Sequence, residues 1–123
     1  MKLYMCRKCD DVYLNLIQHN GDCDGHELNP LEVEVNGESY FEHEIYLRKT
    51  GNIVTITAGL DHPMIDVHHI KFMIIETMHG TFLQRFQLNS ESSVTLLLAH
   101  DEEIDKVYVY CSVHSLLQYT EFK

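Results

Sequence analysis

Apolar and polar residues alternate over short runs along most of this chain, and the runs are cut by turn residues before any helical period builds up. Glu44 to Arg48 and Asn52 to Ala58 flank Lys49-Thr50-Gly51, and Ile70 to Met78 and Thr81 to Leu88 flank His79-Gly80, so each pair reads as a hairpin. Val94 to Ala99 and Lys106 to Cys111 follow, separated by the acidic loop His100-Asp101-Glu102-Glu103, and Leu116 to Phe122 is expected as a last edge strand. The run Phe72-Met73-Ile74-Ile75 is apolar on both strand faces, which fits a buried strand and would also suit a subunit interface. Strands at this spacing, with no amphipathic helix, predict an all-β fold, an antiparallel β-sandwich or partly open barrel.

The first residues follow a different pattern. Lys2 to Met5 forms a short strand leading into Cys6-x2-Cys9, Val12, Leu14 and Leu16 alternate, and Asn20 to Gly25 is rich in turn residues. Asn29-Pro30 and Asn36-Gly37 mark a crossing, with Leu31, Val33 and Val35 alternating between them, so a module over 1–36 is expected to precede a domain over 37–123. A module with so few apolar residues needs a metal, a disulfide or a docked neighbour. Cys6-x2-Cys9 followed by Cys23-x2-His26 has the spacing of a β-rich knuckle holding zinc or iron. Asp24 is a poorer fourth ligand than His26, and a metal-free module held by packing is the alternative.

Composition narrows the function classes. At 123 residues and 45% apolar content the chain is globular. Its net charge of −10, with nine scattered Lys and Arg, argues against nucleic acid. No run approaches the ~18 apolar residues of a membrane span, and Arg7-Lys8 follows Met1 too closely for a signal peptide, so a cytoplasmic protein is expected, with no membrane partner. Four cysteines there favour metal or redox chemistry over disulfides. Glycine-rich phosphate loops, nucleophile elbows and HExxH patterns are absent.

The chemistry gathers at Leu60-Asp61-His62-Pro63-Met64-Ile65-Asp66-Val67-His68-His69-Ile70. Pro63 removes a backbone donor and holds His62 extended, so His62 and His68 sit on a turn feeding the strand from Ile70. Beside strands, such a pair alone is more often ordinary surface. Cys111-Ser112-Val113-His114 and the upstream His43 change the balance, because a soft thiolate with several imidazoles is a transition-metal set. Strand parity puts Cys111 on the face of Val107 and Val109, with Tyr108 and Tyr110 opposite. His19, His79 and His100 fall at turns and are read as solvated, and His69, one place from His68, as structural.

The order H…HPM-x3-H…C-x2-H, carried by His43, His62-Pro63-Met64, His68 and Cys111-x2-His114, resembles the superoxide reductase family, which includes desulfoferrodoxin and neelaredoxin. Cys6-x2-Cys9 resembles the desulforedoxin-like domain that precedes the catalytic domain in two-domain members, with Asp24 where the fourth cysteine would stand. The resemblance implies an immunoglobulin-like barrel, a homodimer, and one mononuclear iron with His43, His62, His68 and His114 equatorial and Cys111 axial. Five nitrogen and sulfur donors exceed the four with which zinc closes, which also favours iron. The implied reaction is reduction of superoxide to hydrogen peroxide, with a rubredoxin-like protein returning the electron. One departure stands out: the family's Glu-Lys before the first histidine is here Phe41-Glu42, so an anion replaces the steering cation. Glu42 or Glu44 is left to cap oxidised iron, and Lys71, Lys49 or Arg48 to supply a field. Two other readings stay open: an iron protein of the same fold serving electron transfer or redox sensing, and a β-sandwich interaction module with incidental histidines.

Overall fold

The computed structural model describes residues 2–6, 11–15, 22–23, 26–27, 29–35 and 43–123. The chain divides into two compact units, Met1–Glu32 and Val33–Lys123. In the first, β1 (Lys2–Cys6) pairs antiparallel with β2 (Asp11–Asn15) on one side and β5 (Asn29–Pro30) on the other. The two-residue strands β3 (Asp22–Cys23) and β4 (His26–Glu27) form a separate hairpin whose backbone register sets Cys23 opposite His26. Cys9, Asp24 and the side chains of Cys6, Cys23 and His26 lie outside the described residues, and so does the expected N-terminal metal shell.

The second unit holds β6 (Val33–Glu34), β7 (Ile45–Thr50), β8 (Ile53–Ala58), β9 (Ile70–Thr77), β10 (Thr81–Arg85), β11 (Ser93–Leu97), β12 (Ile104–Cys111) and β13 (Ser115–Tyr119). One sheet runs β10-β9-β12-β13-β6 and the other β11-β8-β7, and no α-helix forms among the described residues. Val54, Ile56 and Ala58 alternate inward from β8 to meet Met73, Ile75, Val107, Val109, Leu117 and Tyr119 of the larger sheet, which makes this a β-sandwich. The strand ladder follows the alternation expected of a half-buried sheet face.

Two strands differ from the sequence expectation. β13 is not an edge: β6 runs parallel to it, with Leu116 opposite Val33 and Leu117 opposite Glu34. β9 lies between β10 and β12, and Met73 and Ile75 on its core face and Ile74 on the other are all wholly buried within the chain. Those residues are therefore not available as a subunit interface.

Away from the histidines, Glu102 fastens two connections. Its carboxylate accepts the Thr77 hydroxyl and the Ala99 N–H (3.0 Å), while the Thr77 oxygen also accepts the N–H groups of His79 and Gly80, each at 3.1 Å. The β9–β10 turn is thus tied to the β11–β12 loop. The Thr77 hydroxyl first, and the Ala99 N–H second, hold the Glu102 carboxyl below its ordinary range of about 4.5. A carboxyl lowered on folding contributes stability above its unfolded value, and that contribution disappears as pH falls through the folded value. Melting temperatures between neutral pH and pH ~3 should therefore fall faster in the parent than in Glu102→Gln, the two converging at the acid end. Parallel curves would show that Glu102 carries no such linkage.

Candidate metal centre

Three separate segments converge on one point. His43 stands two residues before β7, and the Gly59 N–H donates to the Glu44 carbonyl at 2.7 Å, drawing the end of β8 against the backbone beside His43. The chain then turns through Gly59 (φ 67°) and Asp61 (φ 59°) and delivers His62. Beyond Pro63, Met64 is buried in the core and accepts the Ile70 N–H on Sδ at 3.4 Å, while its carbonyl accepts the Asn89 N–H at 2.8 Å. Ile65 and His68 exchange both backbone hydrogen bonds at 3.1 Å, closing a turn with Asp66 and Val67 at its tip. That turn sets His68 beside His62.

The thiol arrives from the other direction. Cys111 ends β12, and the register passes from Tyr110 opposite Phe72 to Cys111 opposite Ile70, leaving Lys71 as the extra residue of a bulge. A bulge of this kind re-aims side chains where a strand meets a site. The connection 112–114 returns at Ser115, whose φ is 68°. The His69 N–H donates to Ser112 Oγ at 3.0 Å and the Ser112 N–H to the His69 carbonyl at 2.9 Å, so the two ligand-bearing loops are sewn together. Among the described residues, the non-glycine positions with positive φ are Asp61, Asn89 and Ser115. Two adjoin candidate ligands, and the third bonds to Met64 between them. Such backbone is held by its surroundings at a cost of about 1–3 kcal/mol each, a device for fixing side chains in place.

The result is a closed ring of imidazoles. Neighbouring ring centroids lie 4.4 Å apart for His43 and His62, 4.7 Å for His62 and His68, 5.1 Å for His68 and His114, and 4.9 Å for His114 and His43. Cys111 Sγ lies 3.7 Å from His62 Nε2 and 3.5 Å from His114 Nδ1. One donor atom from each of the five residues falls within 4.8 Å of every other. Two imidazole nitrogens on opposite sides of one metal ion stand about 4.2 Å apart, twice a ~2.1 Å bond, so the set has the dimensions of a single coordination sphere. His43 and Cys111 are wholly buried, and the other three rings are partly exposed.

Proton placement supports the same reading. The Pro63 carbonyl can only accept, so the 2.7 Å contact with His62 Nδ1 puts the proton there and leaves His62 Nε2 a lone pair facing inward. That nitrogen lies 2.7 Å from His43 Nε2, a contact that two lone pairs tolerate only with a proton or a cation between them. Among the described residues, His68 Nε2 is buried with no hydrogen-bond partner. A buried imidazole nitrogen left this way costs roughly 1–3 kcal/mol unless something binds it. The orphaned nitrogen, the convergent lone pairs and the soft buried thiol all fit a transition metal.

His69 stands outside this set; its Nδ1 lies 3.0 Å from the Ile65 carbonyl, bracing the turn. Glu42 lies outside the described residues. Glu44 holds its carboxylate on Lys123 Nζ at 3.0 Å and the Tyr46 hydroxyl at 3.3 Å. Of the expected cations, Arg48 and Lys49 stand away from the centre. Lys71 holds its ammonium 5.8 Å from the Tyr110 ring centroid, and Arg48 and Lys49 stand at the hairpin end of β7, about 16 Å of strand from His43. Gly59, Ser112 and Asn89 support the site through backbone bonds that no residue type announces.

A family model described as Desulfoferrodoxin matches residues 35–120. The chain is 24% identical over 120 residues to a desulfoferrodoxin of Clostridium acetobutylicum, covering 94% of this chain and 93% of that protein. The superoxide reductase of Treponema pallidum superposes with a TM-score of 0.78 at 19% identity over 96% of both chains, a likeness that shows the fold. A 65-residue stretch, 53% of this chain, is 34% identical to a galactose-1-phosphate uridylyltransferase of Streptococcus mutans, but that is 13% of the transferase and does not bear on its reaction.

Proposed function

The chain belongs to the desulfoferrodoxin family of superoxide reductases, and from that premise we propose that His43, His62, His68, His114 and Cys111 hold one iron and that the protein reduces superoxide to hydrogen peroxide. The observation that carries this reading is the buried, partnerless His68 Nε2 inside a ring of three further imidazoles and a thiol. Bound iron would supply the single electron that, with two protons, converts superoxide to hydrogen peroxide. The protein's own residues do the rest. The buried Cys111 sulfur, as thiolate, would be the strongest electron donor of the set and would make a metal held there a better reductant of a small anion. The Pro63 carbonyl holds the His62 ring in one tautomer and orientation, and the Ile65–His68 turn does the same for the backbone of His68. The partial exposure of His62, His68 and His114 leaves one side of the centre reachable by substrate and by water as the proton source.

In the first unit we assign Cys6, Cys9, Cys23 and His26 to a zinc or iron shell. Metal analysis tests this directly: two equivalents per chain support it, and one equivalent removes it.

A second reading, an iron protein in electron transfer or redox sensing without efficient superoxide turnover, is favoured by the placement of charge. Arg48 and Lys49 stand at the hairpin end of β7, and in the sequence Glu42 stands where the family pattern has its lysine. If Glu42 lies ~8 Å from the metal, reversing its charge changes the encounter energy with a unit anion by about 1 kcal/mol at water-like dielectric. Glu42→Lys should then react with superoxide several-fold faster than the parent in stopped flow at low ionic strength, and less so where the Debye length shortens to ~8 Å. A parent that takes up iron yet shows no reaction with superoxide hands the protein to the second reading.

A further inference from the structure

The loops that deliver the candidate ligands also carry large apolar side chains turned to solvent. Leu60 is 65% exposed, Ile65 52%, Val67 76% and Val113 56%. Leu60 is two residues from His62, Val67 is next to His68, Val113 is next to His114, and Ile65 is bonded across the turn to His68. The mutual bonds of His69 and Ser112 bring the Val113 turn beside the Val67 turn. Leu60 and Ile65 border one open hollow of about 470 Å³ with His62, Asp61 and Glu91. These apolar groups sit on backbone already fixed by hydrogen bonds, so a partner would meet a face that needs no ordering.

Charge decides what that partner is. Asp61, Asp66 and Glu91 are exposed around the apolar residues. Across residues 59–71, 87–93 and 111–115 the single cation is Lys71, whose ammonium lies over the Tyr110 ring. A second copy docked by the same face would set Asp61, Asp66 and Glu91 against their own like charges. An apolar patch ringed by lysines would be matched, one lysine entering the hollow between Asp61 and Glu91. The face also surrounds the partly exposed edges of His62, His68 and His114, the short way to the centre.

We propose that this face docks a cationic one-electron carrier protein, apolar at its middle and ringed by lysine, which in its reduced form is oxidised as it returns one electron to the centre for each superoxide reduced. The proposal rests on reading that centre as redox-active iron. The test titrates the iron-loaded full chain calorimetrically with cytochrome c, whose haem edge is ringed by lysines, and with a strongly acidic rubredoxin. Cytochrome c should bind several-fold more tightly at low than at physiological ionic strength, and more tightly than rubredoxin in both. Val67→Ser with Val113→Ser should weaken the cytochrome complex about tenfold. Asp61→Asn with Glu91→Gln should weaken it several-fold, whereas the remote pair Glu103→Gln with Asp105→Asn should stay within about twofold of the parent. Asn at 61 tolerates the positive φ, so the loop is kept. Rubredoxin binding as tightly as cytochrome c, a valine pair without effect, or a remote pair as costly as the local one would each overturn the proposal. Electron exchange is followed separately by absorbance. A complex with the expected variant pattern but no electron exchange leaves the docking face standing and refutes the redox reading of the centre.

Discussion

Cys111→Ser should lose both the visible sulfur-to-iron absorption of the oxidised protein and most of its reaction with superoxide. Cys111 is wholly buried at the end of β12, with Sγ within 3.7 Å of two ligand nitrogens, so no solvent molecule can readily take its place with the same charge. A serine hydroxyl is a harder and far less acidic donor than a thiol. It leaves four neutral imidazoles and no anionic ligand, and with them no low-energy donor orbital for a charge-transfer band. Substitutions that merely disturb a ligand's supporting partners cost about 10–100-fold in affinity or activity, and removal of the one anionic donor should exceed that. The measurement is an anaerobic iron reconstitution followed by oxidation, read by absorbance and by stopped flow. A variant retaining the band would place the thiolate outside the coordination sphere.

The clustering of these side chains was legible in the sequence for a local reason. His62-Pro63 announces an extended turn, His68 follows at short range, and Cys111 and His114 share one tight connection, so each half of the centre is written within seven residues or fewer. His43 is joined to them only through the Gly59–Glu44 backbone bond, and its place came from the resemblance instead. The strand sequence was legible from alternation, but strand neighbours were not. β6 is two residues long and pairs in parallel across more than eighty residues of chain with β13, and nothing in Leu116 to Phe122 distinguishes a covered strand from an edge. The pairing of Glu44 with Lys123 was hidden for the same reason, a contact between residues far apart in sequence and made only in three dimensions. Asp61, Asn89 and Ser115 were equally silent, since positive φ is announced by glycine and none of the three is glycine.

The same residues that make a good metal site make a poor metal-free core, and the clearest measure of that conflict is His68. Its Nε2 is buried without a partner, while its ring packs against those of His62 and His114. Replacing it by leucine removes the unsatisfied nitrogen and keeps an apolar group in a partly buried position. His68→Leu should therefore leave the metal-free protein at least as stable as the parent, with a gain of up to about 1 kcal/mol in chemical denaturation. With metal the order reverses. At a free metal concentration about 1,000-fold above the parent's Kd, binding stabilises the parent by ~4.1 kcal/mol. If loss of one of five donors weakens affinity by about 100-fold, the variant at the same concentration gains only roughly 1.4 kcal/mol. The denaturation curves of parent and variant should cross as metal is added, a pattern that simple damage to packing does not produce, because such damage lowers both states alike. A variant destabilised equally with and without metal would show that His68 serves the fold and that its orphaned nitrogen binds nothing.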